Sequence, residues 1–464
     1  MDLDPVLLSR IQFGFVVAFH ILFPSLTIGL AAYIVVLEGL WLKTGREKYF
    51  AIARFWTKIF AVCFGMGVVS GIVMAYQFGT NWSRFSDVTA NVLGPLIGYE
   101  VLTAFFLEAT FLGILLFGRN LVPRWVHFFS AVMVSLGTLF STFWILAANS
   151  WMQTPAGYEI IDGIFHVTSW VEVIFTPSFP YRFSHMVMAT FLAAAFVIMG
   201  VAALYLLQKR HEDNARTMLS MGMGLVFLLA PAQVLIGDLH GLNTFEHQPA
   251  KVAAMEGHWE TQRGAPLILF ALPDREAERN RFEVGIPKLG SLILTHDLDG
   301  EVPGLKEWAA EDRPPVAIVF WSFRIMVAMG LLMVFVAVTG MVLRLRGRLY
   351  DRPWFLKLCV AAVPSGLIAI LAGWVTTEVG RQPWIVYEVM RTAEGASPAV
   401  GGTEVLISLA AFMVAYAIIF SAGIYYIVQL IRKGPVDEPP ATVGRPARPL
   451  SGAESRQPSG SAAE

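Results

Sequence analysis

Nine separate stretches of about 20 or more predominantly apolar residues divide this chain, each long enough to cross a bilayer, and that repetition restricts its fold more than any motif does. They run roughly 14–42, 53–78, 94–118, 125–149, 184–208, 218–239, 316–343, 354–379 and 404–431. A hydrocarbon core about 30 Å thick contains no water to satisfy backbone N–H and C=O groups, so such stretches cross it as α-helices. Of the 464 residues, 56% are hydrophobic and 15% are charged, where a soluble domain carries about 25% charged residues. Mean hydropathy is +0.59. The expected fold is an all-α integral membrane protein with about nine transmembrane helices. A net charge of -1 gives no basic surface for nucleic acid. Cys63 and Cys359 lie inside apolar runs, too few and too deep for a disulfide framework. The start, MDLDP, lacks the basic region of a signal peptide, so the first apolar stretch is expected to be retained.

The connections between spans alternate in charge. One side collects Lys43, Arg46, Lys48, Arg54, Arg119, Arg124, Lys209, Arg210, Arg216, Arg344, Arg346, Arg348, Arg352, Arg432 and Lys433. The short segments of the other side hold Arg10, Arg84, Arg182, Arg381 and Arg391. Basic residues mark the cytoplasmic side, so the N-terminus is expected outside and the C-terminus in the cytoplasm. The chain divides into helices 1–6 over 1–239, a long extracytoplasmic loop over 240–315, helices 7–9 over 316–433 and a tail over 434–464. The tail is rich in Pro, Gly, Ser and Ala and reads as disordered.

Ionisable groups inside a membrane cost roughly 2.5–3.5 kcal/mol each at a helix centre, so each needs a reason. His20, Glu100, Glu108, His185, Arg324 and Glu378 are such residues. The topology places His20, Glu100, His185, Met326 and Glu378 toward the outer leaflet on different helices. That set suits haem iron ligation or a polar cavity, and His/Met is a known axial pair. Glu108 is eight residues past Glu100, about 12 Å deeper and about 80° around an ideal helix, so both side chains can line one proton channel. Plainer readings compete. A lone transmembrane His is often only hydrogen-bonded, Met is a common packing residue, and the carboxylates can be structural. Gly67 and Gly71 form a GxxxG spacing that suits a close helix contact. His240, His247, His258 and His296 lack a zinc spacing and read as surface loop residues. The chain also lacks adjacent transmembrane histidines, paired histidines four turns apart and a C-x-x-C-H haem attachment.

Several segments carry a family resemblance: SRIQF at 9–13 leading to His20, FGTNW at 78–82, WMQTP at 151–155, FRIMVA at 323–328 and GRQPW at 380–384, after a helix ending W-x-x-x-E. In this order they resemble subunit I of cytochrome bd-type quinol oxidases, over residues 9 to about 432. The loop resembles the short-loop branch, which includes cyanide-insensitive oxidases.

The resemblance implies a membrane enzyme that oxidises ubiquinol or menaquinol from the quinone pool and reduces O2 to water, building a proton gradient by charge separation without a pump. It implies haem b558 on His185 and Met326 with Arg324 nearby, and haems b595 and d on His20 and Glu378. It implies Glu100 on the oxygen-reactive side, Glu108 and Ser141 on an inner proton route, Trp374 as an aromatic bridge and Arg381 within the GRQPW motif. Lys251 and Glu256 match the quinol-binding lysine and glutamate. Implied partners are a second membrane subunit and a small single-helix subunit, within the lipid of a bacterial cytoplasmic membrane. The competing class is a secondary transporter whose path is lined by the same Glu and His residues.

Overall fold

The computed structural model describes residues 4–435; the expected disordered tail lies outside the described residues from 436 onward. Nine helices among the described residues are long and apolar enough to cross a membrane. They are α1 Pro5–Thr44, α2 Glu47–Thr80, α3 Ala90–Phe117, α4 Arg124–Gln153, α5 Phe179–Leu207, α6 Glu212–His247, α7 Val316–Leu345, α8 Pro353–Val379 and α9 Gly402–Lys433. Local chemistry sets their ends. Asp4 caps α1 by accepting from the backbone N–H of Val6 and Leu7, with Pro5 in the first turn. The helix stops at Gly45, whose φ of 66° is the left-handed conformation glycine adopts freely.

The spans pack as two four-helix rings. In one, α1, α2, α3 and α4 follow each other around; in the other, α5, α6, α7 and α8 do so. Helix α1 joins the rings through α5 and α8, and α9 packs against α1 and α2. The GxxxG pair of α2 lies on α1: a Cβ at Gly67 would meet Pro24 at 3.5 Å, and one at Gly71 would meet the His20 ring at 3.2 Å. The connections that carry the basic residues meet at one end. There Tyr205 donates to the Ile431 carbonyl at 2.6 Å, Arg210 to the Arg432 carbonyl at 2.7 Å, and Lys48 pairs with Asp213 at 3.6 Å.

Helix α6 continues through residues 240–247, which the sequence assigned to the loop. The polar residues Asn243, Thr244 and Glu246 masked that extension from hydropathy, although the helix carries on to a polar end. The segment that follows is folded. It contains the short helix Pro249–Glu256, an antiparallel ribbon of β1 (Leu267–Asp274) and β2 (Arg279–Ile286), and the short helix Leu289–Thr295. Two of the histidines expected at the surface are covered, His258 fully and His240 in part. His258 is buried, with its Nε2 2.9 Å from the Pro266 carbonyl, and the His240 ring stands edge-on to that of His185 at 5.4 Å.

Candidate functional site

The second ring alternates large ligand-type residues with glycines. His185 stands on α5 and Met326 on α7, at opposite corners, while Gly237 on α6 and Gly373 on α8 occupy the other two. A Cβ at Gly237 would come within 3.2 Å of the His185 ring, and one at Gly373 within 2.8 Å of the Met326 sulfur. Any larger residue at either glycine would push the ligand-type side chain from its place. His185 Nδ1 is buried and has no hydrogen-bond partner among the described residues. Gln233 holds the backbone of this turn by donating to the His185 carbonyl at 3.0 Å.

At the α8 end of this ring lies a buried polar centre. Arg381 donates to Glu378 Oε2 at 2.5 Å, and Asn149 and Gln153 donate to Oε1 at 2.9 and 3.3 Å. Arg182 donates to Asn149 and lies 4.0 Å from Glu378. Lys251 donates to Gln153 Oε1 at 2.7 Å, and its stem lies where Gly380 leaves room: a Cβ there would sit 2.8 Å from Lys251 Cγ. Three cations thus converge on one carboxylate, all out of water. Burial, reinforced by Arg182 and Arg381, holds the Lys251 ammonium well below the usual lysine range, although Glu378 opposes that shift. Burial likewise lowers Arg381, against the pull of Glu378. Arg182 Nε and Arg381 Nε and Nη1 are buried without partners among the described residues. Unpaired buried guanidinium N–H groups are costly, and anionic oxygens are what they suit.

Of these residues, Glu378, Arg381 and Lys251 are expected from sequence, and Arg182, Asn149 and Gln153 are not. The charge pattern puts Arg182 in a short connection, yet it lies one turn before His185 on α5. Its proximity in sequence to His185, and the Gln within WMQTP, were the available signals. The shared motifs meet in space: Asn81 of FGTNW donates to Gln12 of SRIQF at 2.6 Å, and WMQTP meets GRQPW around Glu378.

In the first ring, Ser141 donates to Glu100 at 2.7 Å, and a Cβ at Gly137 would stand 2.5 Å from Glu108 Cγ. Ser141 and Gly137 are one turn apart on α4, about 6 Å along its axis. Val101–Phe105 forms a π-turn between the carboxylates; the wider turn changes the rotation per residue and brings both carboxylates to one stripe of α4. The same stripe continues to Ser130 and His127, whose Nδ1 is 3.1 Å from Glu38 and whose Nε2 is 3.2 Å from the Leu115 carbonyl. Nothing in the sequence pattern singles out Glu38. His20 Nδ1 is 3.0 Å from Ser70 Oγ, and Trp374 is half-buried on α8.

Lys251 and Glu256 share one continuous short helix and aim apart, as their five-residue spacing predicts. Both are buried. Glu256 accepts from Arg324 Nη2 at 2.9 Å, and Arg324 also donates to the Ile268 and Met255 carbonyls at 2.7 and 3.2 Å. Arg324 therefore anchors the 248–315 segment to α7.

This arrangement defines a polytopic helical membrane protein with two polar centres, one cationic and one carboxylate-lined. Residues 8–435 match the family model described as cytochrome bd terminal oxidase subunit I, and the chain belongs to that family. It is 36% identical to cytochrome bd ubiquinol oxidase subunit 1 of Bacillus subtilis, covering 93% of this chain and 94% of that protein. It is 33% identical to cytochrome bd-II ubiquinol oxidase subunit 1 of Escherichia coli, covering 93% and 97%. The fold is similar to the structure of bd oxidase from Geobacillus thermodenitrificans, with TM-score 0.87 and 31% identity over 93% of this chain and 100% of that one. The family displaces the transporter reading and supports an oxidoreductase that works with a second subunit.

Proposed function

We propose that this chain is the haem-bearing subunit of a quinol:oxygen oxidoreductase in a bacterial cytoplasmic membrane. The observation that carries it is the second ring, where His185 and Met326 occupy opposite corners and glycines the other two. When bound, haems b558, b595 and d would supply one-electron carriage and O2 reduction. The residues fit such groups. His185 offers an unpartnered nitrogen and Met326 a thioether, the donor set of a low-spin centre. Arg182 and Arg381 offer free N–H groups to propionate oxygens. His20 and Glu378 would hold the high-spin pair. Glu378 has both oxygens engaged, but a carboxylate has about four lone-pair sites, so ligation remains open to it.

Lys251 binds a quinol oxygen, and Glu256, held by Arg324, accepts a quinol proton from another direction. Ubiquinol and menaquinol both fit this chemistry. Trp374, one turn before Glu378, would serve as an aromatic bridge between the electron carriers. Glu108, Ser141 and Glu100 pass protons from the cytoplasmic side toward the oxygen-reactive side. Quinol protons leave outside, so charge separates without a pump, with the N-terminus outside and the C-terminus inside. A second membrane subunit and a small single-helix subunit complete the complex. A reduced-minus-oxidised visible spectrum of the purified complex tests the reading. Low-spin and high-spin haem bands are expected; their absence overturns it.

A further inference from the structure

The β1–β2 ribbon breaks the rule that a half-buried ribbon alternates apolar and polar faces. Register shifts between Ile268 and Phe270, and between Phe270 and Leu272, interrupt the pairing. As a result Ile268 and Ala271 are buried, packing with Phe320 and Trp321 of α7, while Leu269, Phe270 and Leu272 are all exposed. On the facing strand Phe282, Val284 and Ile286 are exposed too. Phe282 is 76% exposed and its φ is 54°. A bulky side chain in the left-handed region is a genuine outlier, and such strain points to function. Here the backbone holds an aromatic ring outward. The turn at 274–279 is charged, with Glu278 paired to Arg313 at 2.5 Å; within β2 the exposed Arg281 folds back to Asp274 and Glu283 accepts from Asn280 at 2.8 Å.

The depth of the ribbon against α7 identifies what meets this apolar surface. Arg324 donates to the Ile268 carbonyl at 2.7 Å, and Phe270 packs edge-on against Trp321 at 5.2 Å. Arg324 lies eight residues into α7, about 12 Å from its first residue at 1.5 Å per residue. The 30 residues of α7 span about 45 Å, and a hydrocarbon core is about 30 Å thick. The excess is about 15 Å, which puts the boundary about 7–8 Å into α7 if both ends share it and about 15 Å if this end takes it all, so Arg324 and the Ile268 carbonyl it holds lie within about 5 Å of the hydrocarbon boundary. At the same end Ile318 and Ile325 of α7 are exposed as well. Open strand edges are excluded from the hydrocarbon itself, but an apolar face can sink about 5–10 Å into the headgroup and acyl boundary.

We propose that the ribbon 267–286 lies in the membrane interface, with Leu269, Phe270, Leu272, Phe282, Val284 and Ile286 among the acyl chains of the leaflet at the Val316 end of α7. The segment between α6 and α7 is on this reading a monotopic element rather than an aqueous loop.

Site-directed spin labelling of the whole oxidase complex in lipid nanodiscs tests this. Phe282→Cys and Val284→Cys carry the nitroxide, with Glu276→Cys in the charged turn as contrast. Cys63 and Cys359 are fully buried, which leaves the introduced thiols as the label sites on this chain, and the parent complex labelled in parallel gives the background. The expected result is several-fold greater collision with O2 than with a water-soluble nickel chelate at 282 and 284, and the reverse at 276. Greater nickel access at 282 and 284 would show an aqueous loop and overturn the proposal. Protection from both quenchers would show a protein cover, such as the second subunit or another copy, and would overturn it equally. Because Val284 carries no backbone strain, its label reads the environment even if Phe282→Cys relaxes its own turn.

Discussion

The two buried polar centres solve opposite problems. Around Glu378, three cations from three different elements close on one carboxylate, with Asn149 and Gln153 filling the remaining positions. Along α4, Glu100 meets a serine hydroxyl and Glu108 lies against a glycine. The first centre over-determines where each charge sits; the second leaves its carboxylates lightly held. A cation-rich centre suits fixed anionic ligands, and loosely held carboxylates suit groups that gain and lose protons. The elements differ accordingly. The cationic centre is built from three spans and the short helix after α6, whereas the carboxylate line runs beside a π-turn, an irregularity frequent at functional sites.

The sharpest way to break this contrast is to remove one charge from the fixed centre. Glu378→Ala leaves Arg381 and Arg182 facing each other without a counter-ion. Breaking a buried pair costs about 3–5 kcal/mol, and one high-spin haem is expected to be lost or disordered while the His185/Met326 haem stays. Thermal unfolding and haem spectra check this together. Three haems at full occupancy with unaltered spectra would remove Glu378 from the ligand set.

The lightly held centre predicts the next effect. Glu108→Gln keeps the shape beside Gly137 and removes the titratable proton. Losing a positioned proton carrier typically costs about 10²-fold or more, so oxygen reduction should slow by that order while quinol affinity and thermal stability hold. Full turnover would exclude Glu108 from the path. A large loss of stability would show that it belongs with the fixed kind of centre.

Between the two stands the His185/Met326 ring. Met326→Leu is close to volume-conserving, so packing against Gly373 is kept at a cost below about 1.5 kcal/mol. The low-spin haem should lose its six-coordinate spectrum or drop in potential, because thioether ligation favours reduced iron. An unchanged spectrum and potential would refute the pairing.

What the sequence could reveal follows from the physics of each feature. The nine spans were legible because a bilayer demands length and apolarity, and both are written locally. The end of α6 was not, because a helix leaving the membrane turns polar as a loop does. Glu100 and Glu108 were legible as costly buried charges, but their facing depended on a π-turn that no residue pattern announces. Arg182 looked like a loop arginine because its burial is created by Glu378, 196 positions away. His240 and His258 looked exposed for the same reason: burial of a polar residue is decided by what packs over it, and that packing is tertiary.

The smallest effect concerns Lys251, which belongs to the fixed centre by contact and to substrate chemistry by proposal. Its amine is out of water beside Arg182 and Arg381, and its pKa lies well below the usual value. An unfolded lysine titrates near about 10.4. Between the lowered and the ordinary pKa the unfolded chain binds more protons, so stability should rise with pH across that window. Lys251→Met removes the amine, and its melting temperature should be flatter over the same range. A variant as pH-dependent as the parent would assign the slope to other groups. The kinetic arm separates the quinol step from the oxygen step. Lys251→Ala should raise the apparent quinol KM or lower quinol-driven turnover, while electron transfer from an artificial donor that reduces the haems directly survives. If both activities fall together, Lys251 acts by holding Gln153 and thereby Glu378, as a structural member of the fixed centre. If neither changes, quinol binds elsewhere, and the lysine serves only as the third cation around a single carboxylate.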